Sequence, residues 1–173
     1  MKKLVYKITG TIKKAKGFTL VEMLVYMGIF SILMGVLVQI FFSAIDIQLT
    51  SRATSSVDQD GAYILSRMDY DISRAQAVTL PSNYGVGSNT LTLQIGSFPY
   101  TYSLDSNNNL VLSNPNGINQ LNSADTTLSS LTFTRIGVPG GNDTIQLNFQ
   151  LKSTTQRSTG YETRDYTTTI SLR

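Results

Sequence analysis

The chain has 173 residues, and its 14 lysines and arginines against 11 aspartates and glutamates give a formal net charge of +3. It contains no cysteine and no histidine. This composition excludes a disulfide scaffold, a cysteine nucleophile, histidine-assisted serine catalysis and zinc sites with thiolate or imidazole ligands. We therefore expect a protein that is not an enzyme and needs no cofactor.

The positive charge is concentrated in a basic segment at the N-terminus. Six of the 14 basic residues and none of the 11 acidic ones lie in residues 1–17, so the rest of the chain carries a formal charge of −3. A basic segment ahead of an apolar span holds the N-terminus in the cytoplasm. The overall pI of about 9.2 is therefore a property of this segment, and we expect no direct nucleic-acid binding.

Residues 18–42 form an apolar stretch of 25 residues. As a helix it would be about 37 Å long, which is enough to cross a hydrocarbon core of roughly 30 Å with some tilt. It is too long for the apolar region of an ordinary secretory signal, which has roughly 7 to 15 residues. The sequence predicts a single membrane-spanning helix. The polar side chains of this stretch are Thr19, Glu22, Ser31 and Gln39.

The segment Gly17-Phe18-Thr19-Leu20-Val21-Glu22 resembles the cleavage and methylation motif of type IV prepilins and type II secretion pseudopilins. In that family a membrane peptidase cuts after the glycine on the cytoplasmic side, and the new N-terminal phenylalanine is N-methylated. The resemblance implies cleavage between Gly17 and Phe18. It also implies that Glu22 guides filament assembly by meeting the N-terminal amine of a neighbouring subunit.

The resemblance further implies the partners and the location of the chain. The partners are a prepilin peptidase and methyltransferase, other pilin or pseudopilin subunits, an inner-membrane assembly platform and membrane lipid. The precursor would cross the inner membrane once, with its N-terminus in the cytoplasm and its C-terminal domain outside the cytoplasm. It would be stored in the membrane as this precursor, matured by cleavage at Gly17, and then enter a filament.

Physical chemistry gives Glu22 a second interpretation. A charged side chain at the centre of a membrane helix costs about 2.5–3.5 kcal/mol and usually has a partner or a function. Glu22 lies near one end of the apolar stretch, where its side chain can reach the headgroups. An interfacial glutamate in a plain signal anchor is therefore the alternative to an assembly residue.

After the span, residues 43–80 are predicted to form an amphipathic helix. Ile45, Leu49, Leu65, Met68, Ile72 and Ala75 recur at helical spacing. The polar run at residues 50–56 favours a local break, and Pro81 is expected to end the helix. Arg67, Asp71 and Arg74 have the spacing of ion pairs on a solvated face.

Residues 81–173 are predicted to form an antiparallel sheet, because the period of the apolar residues changes from 3.6 to 2. Residues 91–95 and 98–104 are interpreted as a hairpin, followed by a short strand at 110–112 and strands at 130–136, 144–151 and 166–172. The predicted fold is α+β and pilin-like. It has a cleaved leader at 1–17, a membrane and assembly helix at 18–42, an amphipathic helix at 43–80 and a β domain at 81–173.

The order of these strands is similar to that of minor pseudopilins of the J class and of W-type minor pilins. The chain lacks the proline that many major pilins carry in the membrane helix, and Gly28 and Gly35 are the residues there that permit close approach or bending. We expect a minor structural subunit of a type IV pilus or of a secretion pseudopilus. The alternative is a signal-anchored binding domain outside the cytoplasm that never polymerises, with a role in adhesion or DNA uptake.

Three further groups of residues are candidate sites. Asp105, Asn107 and Asn109 begin like a calcium loop, but Leu110 stands where such a loop needs glycine, so a plain turn is favoured. Of the two acidic pairs, Asp58 with Asp60 is interpreted as charge at a helix N-terminus, and Asp69 with Asp71 is expected to point to different faces of the helix. We expect sheet packing, in preference to a ligand surface, to explain the tyrosines at positions 84, 100, 102, 161 and 166. We therefore expect no metal site.

Overall fold

The computed structural model describes residues 17–138 and 140–173. The described chain begins with a 54-residue helix, α1, at Leu20–Ser73, and nine strands follow it. The predicted α+β fold, a long helix packed on antiparallel sheets, is confirmed. The strands are β1 Ala77–Leu80, β2 Gly87–Ser88, β3 Leu91–Ile95, β4 Phe98–Leu104, β5 Leu110–Asn114, β6 Gly117–Gln120, β7 Thr126–Ile136, β8 Thr144–Arg157 and β9 Gly160–Ser171.

The strands form two antiparallel sheets where the sequence predicted one. The first sheet has the order β1-β3-β4-β5-β6, and the second has the order β2-β7-β8-β9. The predicted hairpin is present, because Leu91 pairs with Tyr102 and Ile95 pairs with Phe98. The three strands that the sequence did not reveal are β1, β2 and β6, and all three lie at sheet edges.

The chain divides into two compact units, the first ending at Ser43 and the second comprising Ala44–Arg173, and α1 contributes residues to both. The core of the second unit combines one stripe of α1 with the inward side chains of both sheets. The stripe has helical spacing, which is why a single face of α1 is buried. Its buried members are Ala53, Val57, Gly61, Ile64, Met68, Asp71 and Ile72.

Two predictions about α1 are wrong. The expected break at residues 50–56 is absent, because Ala53 and Val57 are fully buried in the domain and Arg52 forms an ion pair with Asp125 at 3.0 Å. Tertiary contacts therefore override the poor helix propensity of this segment. The helix also ends at Ser73 rather than near Leu80, since the chain enters the first sheet at Gln76, whose amide donates to Gln94 O at 2.9 Å.

Gly61 lets the second sheet come close to the helix. A Cβ atom at Gly61 would overlap the ring of Tyr166, which stacks on Phe149 with a centroid distance of 4.9 Å. The Tyr166 hydroxyl donates to Val57 O at 2.9 Å. The predicted role of Tyr166 in packing is confirmed, and Gly61 is the position that this packing requires.

Candidate processing and assembly site

Gly17 and Phe18 lie ahead of α1, in a segment without regular secondary structure. Both residues are exposed, and 69% of the Phe18 surface is accessible. The peptide bond between them therefore lies outside the helix, where no helical hydrogen bonds protect it. Residues 1–16 of the basic leader that the sequence predicts before this bond lie outside the described residues.

Thr19 fixes the start of the helix. Its Oγ1 accepts a hydrogen bond from the Glu22 amide at 3.2 Å, and its carbonyl accepts one from the Met23 amide at 3.1 Å. This is the N-cap arrangement, which satisfies one of the free amides of the first turn. The cap places the first helical turn immediately after Thr19, so that Glu22 occupies the first turn of α1.

Glu22 is half-buried, and its carboxylate has a partner on the same helix. The Tyr26 hydroxyl donates to Glu22 Oε1 at 3.2 Å. A Thr-x-x-Glu sequence often forms a capping box, in which the glutamate reaches back to the N-cap amide. Here the glutamate side chain is instead held toward Tyr26, which the sequence analysis did not single out. The spacing of four residues between Glu22 and Tyr26 is the signal that could have revealed it.

The apolar part of α1 is exposed along its length. The helix is long and apolar enough to cross a membrane, and none of its most apolar window is buried within the chain. At Gly28 and Gly35 a Cβ atom would meet nothing within 4 Å. The polar Ser31 is satisfied locally, since its hydroxyl donates to Met27 O at 2.8 Å. This surface is therefore available to lipid or to helices of other subunits.

The predicted solvated ion pairs around Asp71 are in fact a buried cluster, so that interpretation is wrong. Asp71 is fully buried and accepts hydrogen bonds from Arg67 Nε at 2.8 Å, from Arg74 Nη2 at 2.6 Å and from the Tyr102 hydroxyl. Burial and the hydrogen bond to this carboxylate raise the pKa of Tyr102. The cluster joins α1 to β4 of the first sheet.

The interpretation of Asp58 and Asp60 as a helix N-terminal charge is also wrong, because both residues lie within α1. Asp60 Oδ2 accepts from the Ser123 amide at 2.9 Å, from the Ser123 hydroxyl at 2.7 Å and from the Thr126 hydroxyl. Asp58 forms an ion pair with Arg164 of β9. These carboxylates attach the helix to the β domain. Asp69 is exposed and Asp71 is buried, so the prediction that these two residues lie on different faces is confirmed.

The Asn-rich segment forms a turn that uses its own carboxylate. Asp105 Oδ1 accepts hydrogen bonds from the amides of Asn107 and Asn109, each at 2.8 Å. These hydrogen bonds, led by that of the Asn109 amide, lower the pKa of Asp105. Asn108 has a φ of 61°, which asparagine tolerates better than most residues. The hydrogen bonds of the Asp105 side chain therefore stabilise the turn.

Comparison with known proteins identifies the N-terminal segment. Residues 12–38 match the family model described as the prokaryotic N-terminal methylation motif. This match supports a type IV pilin-like or pseudopilin-like protein and implies processing by a prepilin peptidase and assembly with other pilins. No curated protein and no solved structure matches the chain.

Proposed function

We propose that this chain is a minor structural subunit of a type IV pilus or of a type II secretion-like pseudopilus. A prepilin peptidase cuts between Gly17 and Phe18, and Phe18 is then N-methylated. The observation that carries this proposal is the methylation motif at residues 12–38, placed where an exposed peptide bond precedes a capped and exposed apolar helix. The minor role is supported by the similarity of the strand order to J-class and W-type subunits.

Storage in the membrane follows from the apolar part of α1. Before cleavage the basic leader holds the N-terminus in the cytoplasm, and the β domain lies on the other side of the inner membrane. The single-pass precursor meets the peptidase at the cytoplasmic face and the assembly platform within the membrane. No cofactor and no nucleic acid has a part in this function.

Assembly replaces lipid around α1 with the helices of other subunits. Because lipid tails are as apolar as leucine side chains, this exchange gains little hydrophobic free energy, and packing and polar contacts decide the arrangement. Cleavage creates one new charged group on the mature chain, the amine of Phe18, and leaves the new carboxylate of Gly17 on the released leader. Attraction between that amine and Glu22 of a neighbouring subunit is strong in an environment of low dielectric constant. The pair therefore sets the register of each incoming subunit.

The test is whether the mature chain enters filaments. Filaments sheared from cells that express the assembly system should contain the chain with Phe18 at its N-terminus, and a strain without the assembly platform should retain it in the membrane. The signal-anchored binding domain predicts the opposite result, with all of the chain in the membrane fraction of both strains. That result would rule out the proposed function.

A further inference from the structure

Tyr26 contacts both of the residues on which the proposed function depends. Its hydroxyl donates to Glu22 Oε1 at 3.2 Å, and its ring meets the ring of Phe18 edge to face with a centroid distance of 6.0 Å. Edge-to-face contact is a favoured arrangement of two aromatic rings. One side chain therefore links the new N-terminal residue to the acidic residue of the first turn.

The helix places these groups together. Residues four apart lie on the same face of a helix, and side chains there point back toward the N-terminus, so the Tyr26 ring covers the turn that holds Glu22. Thr19 fixes the backbone of the same turn, because its hydroxyl oxygen accepts a hydrogen bond from the Glu22 amide. Thr19 thus holds the backbone of Glu22, and Tyr26 holds its carboxylate.

The hydrogen bond from Tyr26 affects the Glu22 carboxylate more at the edge of a membrane than it would in water. At the edge of a membrane, fewer water molecules compete for the carboxylate, so a hydroxyl donor on the same helix changes its orientation and its desolvation cost. Tyrosine also suits this depth, because its ring is apolar and its hydroxyl reaches the polar interface. A carboxylate accepts hydrogen bonds at both oxygens, so donation to Oε1 leaves Oε2 able to accept from an amine.

We propose that Tyr26 is a positioning residue for filament assembly, which rests on the proposed function. Its hydroxyl orients the Glu22 carboxylate to receive the N-terminal amine of a neighbouring subunit, and its ring holds the Phe18 side chain on the same face. We expect cleavage to be independent of the Tyr26 hydroxyl, because that hydroxyl binds Glu22, whereas the bond between Gly17 and Phe18 lies ahead of the helix and is exposed.

The first experiment compares Tyr26→Phe with the wild-type chain in cells that assemble filaments. The substitution keeps the ring and removes the hydroxyl, and Tyr63→Phe is the control, because it removes an exposed hydroxyl farther along the same helix. We expect Tyr26→Phe to be cleaved like the wild type and to enter sheared filaments about 3-fold to 10-fold less, in line with one lost hydrogen bond. Tyr63→Phe should enter them at the wild-type level.

The second experiment tests the contact itself in the full-length chain in detergent. The ¹³C resonance of the Glu22 carboxyl should move in Tyr26→Phe and stay in place in Tyr63→Phe. An unmoved resonance, or wild-type incorporation of Tyr26→Phe, would overturn the positioning role. Absence of the wild-type chain from sheared filaments would overturn the proposed function. Presence of the wild-type chain together with normal incorporation of Tyr26→Phe would overturn the positioning role alone, so the two failures are distinguishable.

Discussion

The two halves of α1 differ in where their carboxylates find hydrogen-bond or ion-pair partners. In residues 20–43 the side chains are mostly exposed, and Glu22 is bound by Tyr26 of the same helix. In residues 44–73 the carboxylates of Asp58, Asp60 and Asp71 each reach a strand or loop of the β domain. One helix therefore has two environments: its second half is part of a folded domain, and its first half presents an exposed apolar surface.

This comparison predicts that substitutions in the second half change stability and leave processing intact, whereas those in the first half change assembly and leave stability intact.

Asp71→Ala should have the largest effect. It leaves Arg67, Arg74 and the Tyr102 hydroxyl without their shared buried acceptor, and breaking a buried charge cluster typically costs about 3–5 kcal/mol. Urea unfolding of the full-length chain in detergent, followed by circular dichroism, measures the loss. Asp69→Ala, at an exposed position of the same helix, should change the free energy of unfolding by less than about 0.5 kcal/mol. Equal effects of the two substitutions would contradict the buried cluster.

Glu22→Ala should leave stability unchanged and impair assembly. We expect normal cleavage at Gly17 and a fall in filament incorporation of about 10-fold to 100-fold, which corresponds to roughly 1.4–2.8 kcal/mol for the lost charge pair. The amounts of mature chain in the filament and membrane fractions give the value. Normal incorporation would exclude the pairing of Glu22 with an N-terminal amine.

Gly61→Ala should destabilise the domain through a single methyl group. The added Cβ would overlap the Tyr166 ring, and overpacking of this kind costs about 1–3 kcal/mol. Gly28→Ala is the matched control in the first half of α1, because a Cβ there meets nothing within 4 Å. The urea midpoint should fall for Gly61→Ala and stay unchanged for Gly28→Ala. A similar midpoint for both would show that the helix and sheet do not approach closely at Gly61.

The smallest effect is a pH dependence that comes from Tyr102. Its pKa is raised in the folded chain, so above pH 10 the unfolded state loses the phenolic proton while the folded state keeps it, and stability falls as the pH rises. Between pH 10 and 11 the free energy of unfolding should fall by about 1 kcal/mol from this group. Tyr102→Phe, compared across the same pH range, should lose that part of the slope. If the free energy of unfolding of Tyr102→Phe has the same slope with pH as that of the wild type, Tyr102 does not cause this pH dependence.

Burial also explains which strands could be predicted from the sequence. Strands with clear alternation, such as the one containing Ile145 and Leu147, were predicted because one face of each is buried. β6 is exposed along its whole length, so it has no alternation to detect, and β2 has two residues. The strand at Ala77–Leu80 was assigned to the helix because the proline after it was interpreted as the helix terminator.

The burial of Asp71 could not be predicted, because its spacing from Arg67 and Arg74 is the same on a solvated face. The difference comes from Tyr102, which lies 31 residues away along the chain. The residues around Gly17, Phe18 and Glu22 form one contiguous segment, and for that reason their pattern was visible in the sequence. Tyr26 lies close enough to Glu22 to have been found from spacing alone.

The most direct test of the central claim is the N-terminal mass of the chain purified from membranes with and without the prepilin peptidase. With the peptidase, we expect a chain that starts at N-methylated Phe18, and without it the intact leader through Gly17. An intact leader in both preparations would contradict the account, because the exposed first half of α1 would then be a simple anchor.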